Sequence, residues 1–235
     1  MSLLLRASPE VAGSLKGCHD EDSPFFHALA IEKCFTVCYN QIKQRSGCVG
    51  MDEHKLIQTA LDCGASKAAV IPQESILLSA EFRGMCEANR CGVYGKCYMC
   101  PPDVGPIEEL MQKIRAYDKG LIYQLIAPLE DSFDIEGMAE AKKDLVRLSQ
   151  KLLDALRPVL GDDALHLSGG GCGLCEVCAK ATEEPCRHPD RAMASLESCG
   201  VDVYNTAKAA NMKYINGTNT VTYFGMVLYK EQENG

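Results

Sequence analysis

Apolar residues recur at two different spacings along this chain, and the switching between them predicts its elements. After Asp52, a good N-cap, Leu56, Ile57, Ala60 and Leu61 have helical spacing, and Gly64 is a natural stop. Lys67-Ala-Ala-Val-Ile71 then reads as a short buried strand closed by Pro72. Pro106 opens the next helix, with Glu108 and Glu109 in the first turn, where the helix dipole favours them. Ile107, Leu110, Met111, Ile114 and Tyr117 give it a buried face, and Gly120 is expected to end it. Leu121–Ala127 is a strongly apolar strand. Helical spacing returns between Glu136 and Val159 through Met138, Ala141, Leu145, Leu148, Leu152 and Leu156. Leu165-His166-Leu167 is a short strand; Ala192, Met193 and Leu196 predict a helix ending at Gly200, and Val203–Met212 a further one. The C-terminal part reads as a hairpin, Lys213–Ile215, an Asn216-Gly217 turn and Thr220–Tyr229. Alternating strands and helices imply an α/β (α+β) sandwich with a mixed sheet of about four to five strands.

Residues 1–50 read differently from the rest. They carry Cys18, Cys34, Cys38 and Cys48 at irregular spacing, with His19 and His27 among them, and a possible helix from Ile31 to Ile42. These thiols are read as buried or incidental. Residues 1–50 are expected to form an N-terminal extension, and 51–235 the metal-binding domain.

Composition changes the picture in one respect. The chain of 235 residues is 46% hydrophobic and 24% charged, as an ordinary globular protein would be, but it holds 14 cysteines. Met1–Arg6 is apolar for too few residues to form a secretion signal, and no run approaches the roughly 18 apolar residues that span a bilayer. A cytoplasmic, reducing location is expected, where clustered cysteines mean metal instead of disulfides. A net charge of −8, no Trp and 6% aromatic residues argue against nucleic acid as a partner.

The cysteines fall into two stretches. Ser168-Gly169-Gly170-Gly171-Cys172-x2-Cys175-x2-Cys178 is followed by Pro185-Cys186-Arg187. Three thiols at this spacing can take three corners of a cubic iron–sulfur cluster, with Cys186 as the fourth ligand. The glycines before them let backbone N–H groups approach the cluster sulfurs. Structural zinc, the alternative, more often uses two separated Cys-x2-Cys pairs. The other stretch is Cys86-x4-Cys91-x5-Cys97-x2-Cys100-Pro101-Pro102. Both follow apolar strands, which would bring them to one edge of the sheet. His166, on an apolar strand, reads as a hydrogen-bonded core residue, and Cys63 and Cys199 as packing residues. The glycine run lacks the nucleotide-binding pattern and the P-loop lysine, and no catalytic triad spacing is visible.

Cys91-Gly-Val-Tyr94-Gly95-Lys96-x3-Cys100-Pro101-Pro102, together with Gly170-Gly171-Cys172-x2-Cys175-x2-Cys178-x7-Cys186-Arg187-x-Pro189, resembles the DUF2284 family of predicted metal-binding proteins, found chiefly in anaerobic bacteria and archaea. Ser195-x-Glu197-x2-Gly200-Val201-Asp202-Val203 is similar to the family's following segment. The resemblance covers Met51 to the C-terminus and implies an iron–sulfur or other metal-binding protein of anaerobic metabolism, without bringing a defined reaction. Cys86, Cys91, Cys100, Cys172, Cys175, Cys178 and Cys186 match the family's cysteines, whereas Cys97 falls where the pattern varies.

With one [4Fe–4S] cluster per stretch, the ligands would be Cys86, Cys91, Cys97 and Cys100, then Cys172, Cys175, Cys178 and Cys186. Cys100-Pro101 has the Cys-Pro form of bacterial ferredoxins, in which that cysteine serves the other cluster, so exchange between the stretches stays open. Lys96, Lys180, Arg187 and His188 stand close by in sequence, either to raise the potential and dock a partner or as solvated loop charges. Two function classes follow. One is electron transfer to a partner oxidoreductase or corrinoid-type protein. The other is an iron–sulfur enzyme or activase whose cluster keeps an iron open to substrate. Cys97 separates them, since only with Cys97 does the first stretch close its own shell. A zinc-stabilised binding module is a third reading.

Overall fold

The computed structural model describes residues 52–231. The cysteines and histidines of residues 1–50, the helix expected over 31–42 and the N-terminal extension lie outside the described residues. Helix α1 (Glu53–Asp62) starts where Asp52 accepts a hydrogen bond from the His54 amide, and the chain leaves it at Gly64, whose φ is 112°. Four strands follow in the chain: β1 (Lys67–Pro72), β2 (Lys119–Pro128), β3 (Leu165–Leu167) and β4 (Thr220–Tyr229). Between them come helices α2 (Phe82–Glu87), α3 (Ile107–Arg115), α4 (Ile135–Leu160) and α5 (Val203–Ala209).

The protein is thus α+β, with one open sheet ordered β1-β2-β4-β3. Every neighbouring pair is antiparallel, which corrects the mixed sheet expected from the alternation of elements. The reason lies in β4. Strands β2 and β3 run the same way and are joined by α4, the arrangement that alternation implies, but β4 inserts between them and opposes both. Its register with β2 is continuous from Lys119↔Tyr229 to Pro128↔Thr220.

Side-chain alternation along β2 and β4 gives the sheet two apolar faces. Leu121, Tyr123, Val227 and Tyr229 pack against Leu56 of α1 and against Leu145, Leu148 and Leu152 of α4. Ile122, Phe224, Met226 and Leu228 face the other way, toward Ile114 of α3, Ala207 of α5, Leu196 and Val201.

Three local expectations differ. Helix α3 ends at Arg115, and Gly120 lies inside β2, where a Cβ would meet Ile76 and Met226 at 3.1 Å. The helix expected up to Gly200 is only a 3-10 turn, Glu197–Cys199. Before it the backbone bonds outward: the Ser168 amide donates to the Ala194 carbonyl at 3.0 Å and the Leu196 amide to the Ser168 carbonyl at 2.9 Å. Finally, Lys213–Ile215 is not a strand, and β4 takes its partners from β2 and, over Met226–Leu228, from β3. Tyr214 instead stacks on Phe224, with ring centroids 5.6 Å apart.

Candidate metal centre

The second cysteine stretch leaves β3 and runs without regular structure except the 3-10 turn Ala179–Thr182. In the first stretch Cys86 lies on α2, and residues 88–106 are turns. Cross-ties hold the two stretches together. The Tyr98 hydroxyl donates to the Glu184 carbonyl at 2.8 Å, and Lys180 pairs with Asp103 while its ammonium sits 5.4 Å from the centre of the Tyr98 ring. Gly171 brings its backbone close: a Cβ there would lie 3.8 Å from the Cys100 sulfur.

The eight expected ligands line two cavities, and the division differs from the one by sequence stretch. A small cavity of about 40 Å³ is lined by Cys172, Cys175, Cys178 and Cys186 together with Cys97. A large cavity of about 740 Å³ is lined by Cys86, Cys91 and Cys100. Cys97 has therefore crossed to the second group. Cys97 and Cys100 are buried, Cys91 is exposed and the others are half-buried.

Hydrogen bonding sets the charge of these thiols. A hydrogen bond from the Cys100 thiol holds Cys97 below the usual thiol range despite its burial. The same bond and burial push Cys100 up. Burial also raises Cys86 and Cys172. Arg187 is held protonated, first by a hydrogen bond to the Cys175 thiol and then by Glu184. It also donates to the Val177 carbonyl at 3.1 Å, so it fastens the loop that carries Cys175 and Cys178. All ten described cysteines are free, and a donor set of thiols, one held toward thiolate, fits a soft metal centre. Among the described residues no three His, Cys, Asp or Glu side chains converge on one point.

Of the other residues singled out from sequence, Lys96 is exposed and His188 lines the small cavity. His166 is buried, with Nε2 2.7 Å from the Tyr123 hydroxyl, as a core histidine should be. Cys63 caps α1 and Cys199 is buried in the core, its thiol pushed up to about 11 by burial.

Sequence reasoning missed the walls of the large cavity. Glu197, Tyr204 and Tyr214 face it, and Met85 stands at its side. Burial raises the Glu197 carboxyl, against a hydrogen bond from Ser195 and the charge of Lys142. Lys142, on α4, donates to the Gly169 carbonyl, and burial lowers its amine. Only Glu197 carried a signal, in the segment after the second cysteine stretch; the aromatic residues carried none.

No helix among the described residues is long and apolar enough to cross a membrane. No curated protein and no solved structure matches the chain. The family model described as a predicted metal-binding protein (DUF2284) matches residues 69–229, a span that takes in all eight cysteines and most of the sheet. On that match the chain belongs to the DUF2284 family of predicted metal-binding proteins.

Proposed function

We propose that the protein is a cytoplasmic iron–sulfur enzyme with two [4Fe–4S] sites of unequal coordination, supplied with electrons by a redox partner protein and acting on a small molecule at the site with fewer thiols. The position of Cys97 carries this reading. With Cys97 at the small cavity, Cys172, Cys175, Cys178 and Cys186 suffice to close one shell, while Cys86, Cys91 and Cys100 offer three ligands to the other. Bound clusters would supply one-electron chemistry, tuned by burial and by hydrogen bonds to the sulfurs. The chain's own part is to hold the thiols and shape the space beside them. Arg187 anchors the Cys175 loop, the Tyr98 and Lys180 ties fix the two stretches to each other, and the large cavity leaves room for a substrate beside the three-thiol site.

The carrier reading, with both shells closed, draws support from the nearness of Cys97 to Cys100, each of whose thiols shifts the other. Zinc draws less support. A single zinc wants four donors converging at about 2.3 Å, and these thiols surround a volume.

The test is purification without oxygen, with iron and sulfide analysis and EPR of the reduced protein before and after cyanide. A brown protein with about eight irons per chain and a cyanide-shifted signal is expected. Stoichiometric zinc without sulfide would sink the iron–sulfur reading, and eight irons with no cyanide shift would return the function to the carrier.

A further inference from the structure

We infer that the large cavity beside Cys86, Cys91 and Cys100 binds a small organic cation between the Glu197 carboxylate and the rings of Tyr204 and Tyr214, an inference that rests on reading the three-thiol site as the place where a small molecule is handled.

At about 740 Å³ the cavity lies within the range of small-molecule sites, roughly 300–1,000 Å³. Its charged walls are mostly acidic: Glu81, Glu197 and Asp202 against Arg90. Asp202 is engaged as the cap of α5, accepting from the Asn205 amide at 3.0 Å and from its side chain at 2.7 Å. Glu197 also lines the cavity, and the cation that acts on it is Lys142. Lys142 itself donates to the Gly169 carbonyl and does not line the cavity. A ligand that brings positive charge is attracted by these acidic walls, whereas an anionic ligand meets repulsion from each of them.

The aromatic part of the cavity suits the same ligand. Tyr204 and Tyr214 meet edge-on, with centroids 5.6 Å apart and planes at 70°, and Tyr214 is backed by Phe224 in a near-parallel stack. Phe224 thus covers one face of Tyr214 and Tyr204 meets it edge-on. Burial, Glu197 and Asp202 all raise the Tyr214 hydroxyl, so both carboxylates act on that ring. Tyr204 is 58% exposed, Tyr214 44% and Met85 68%, and all three large apolar side chains border one cavity. Scattered exposed apolar groups need no explanation, but a group of them around a concave site marks a binding surface. A ring face beside a carboxylate is the arrangement that selects an alkylammonium over a neutral molecule of equal shape.

The test uses the full chain purified without oxygen, titrated with choline and with its uncharged isostere 3,3-dimethyl-1-butanol. Binding is followed by calorimetry and by tyrosine fluorescence, which no Trp obscures. Choline should bind about tenfold more tightly than the alcohol. Glu197→Gln and Tyr204→Ala should each remove that preference with iron content unchanged; both positions lie outside the thiol set, and Tyr204 is exposed enough to be truncated without unfolding the chain. Equal affinity for the two probes, binding of neither, or a preference that survives both variants would overturn the inference. Iron measured on the same samples keeps the two readings apart. A choline preference in protein without iron–sulfur clusters removes the redox reading and leaves the cation site, and fully loaded protein without the preference does the reverse.

Discussion

Cys97 and Cys100 stand close enough for each thiol to shift the pKa of the other, yet the two side chains line different cavities. A turn closed by the Cys100 amide donating to the Cys97 carbonyl at 3.0 Å separates them. One residue spacing thus serves two sites. Cys97→Ala is expected to leave the cyanide response of the reduced EPR signal as it is in the wild type, because Cys97 is not counted in the three-thiol set. Cys86→Ser should remove about half the iron, and Cys172→Ser the other half. A cyanide response that appears only once Cys97 is removed would make Cys97 the fourth ligand beside Cys86, Cys91 and Cys100.

Tyr98 ties the cysteine stretches through one hydroxyl, which donates to the Glu184 carbonyl at 2.8 Å. Tyr98→Phe keeps the ring under the Lys180 ammonium and deletes only that bond. A loss of about 0.5–1.5 kcal/mol is expected, felt as looser association of the two stretches. Iron release to a chelator, timed in wild type and variant, should be faster in Tyr98→Phe. Equal release rates would show that the two stretches hold together without this tie.

Much of this architecture was legible in the sequence because it depends on local signals. Asp52 and Gly64 bracket α1, and the apolar stripe from Ala141 to Leu156 specifies α4 with no help from neighbours. The direction of β4 was not legible, since strand alternation carries no information about which edge a distant strand joins. Nor did the motif spacing disclose that Cys97 faces the second group. Cys-x2-Cys allows both thiols to reach one cluster, but Cys97 lines the cavity of the second stretch. Gly120 misled for a physical reason: a glycine after a helix usually marks a C-cap, but this one makes room for Ile76 and Met226.

Gly225 shows the same use of glycine more sharply. A Cβ at this position in β4 would stand 2.2 Å from Cζ and the hydroxyl oxygen of Tyr123 on β2. That hydroxyl is held by Ser149 and by His166, each at 2.7 Å. Gly225→Ala must expel the ring and break both bonds, costing about 3 kcal/mol from overpacking and lost buried hydrogen bonds. Urea unfolding of Gly225→Ala, Tyr123→Val and the double variant measures the coupling. The double variant should be less destabilised than the sum of the singles. Simple additivity would mean that the strand shifts to accommodate the methyl group.

His166 gives the fold a defined response to acid. Its ring is buried, Nε2 meets the Tyr123 hydroxyl and Nδ1 has no partner among the described residues. A second proton therefore has no acceptor there, and burial lowers the residue from 6.5 to about 3. In the unfolded chain the same imidazole takes up a proton as the pH falls below 6.5. The unfolded state then binds more protons than the folded one, so this residue's contribution is complete above pH 6.5 and is lost on acidification toward pH 3. Between pH 6.5 and 5 the loss amounts to about 2 kcal/mol. Carboxylates titrate as well, so a matched variant is needed to isolate it. His166→Gln keeps a polar group near Tyr123 and removes the titration. Urea midpoints measured from pH 7 to 5 should fall more steeply in the wild type than in His166→Gln, with iron content followed in parallel. Parallel curves would mean that the imidazole is protonated equally in both states, and that the buried pair with Tyr123 opens to water.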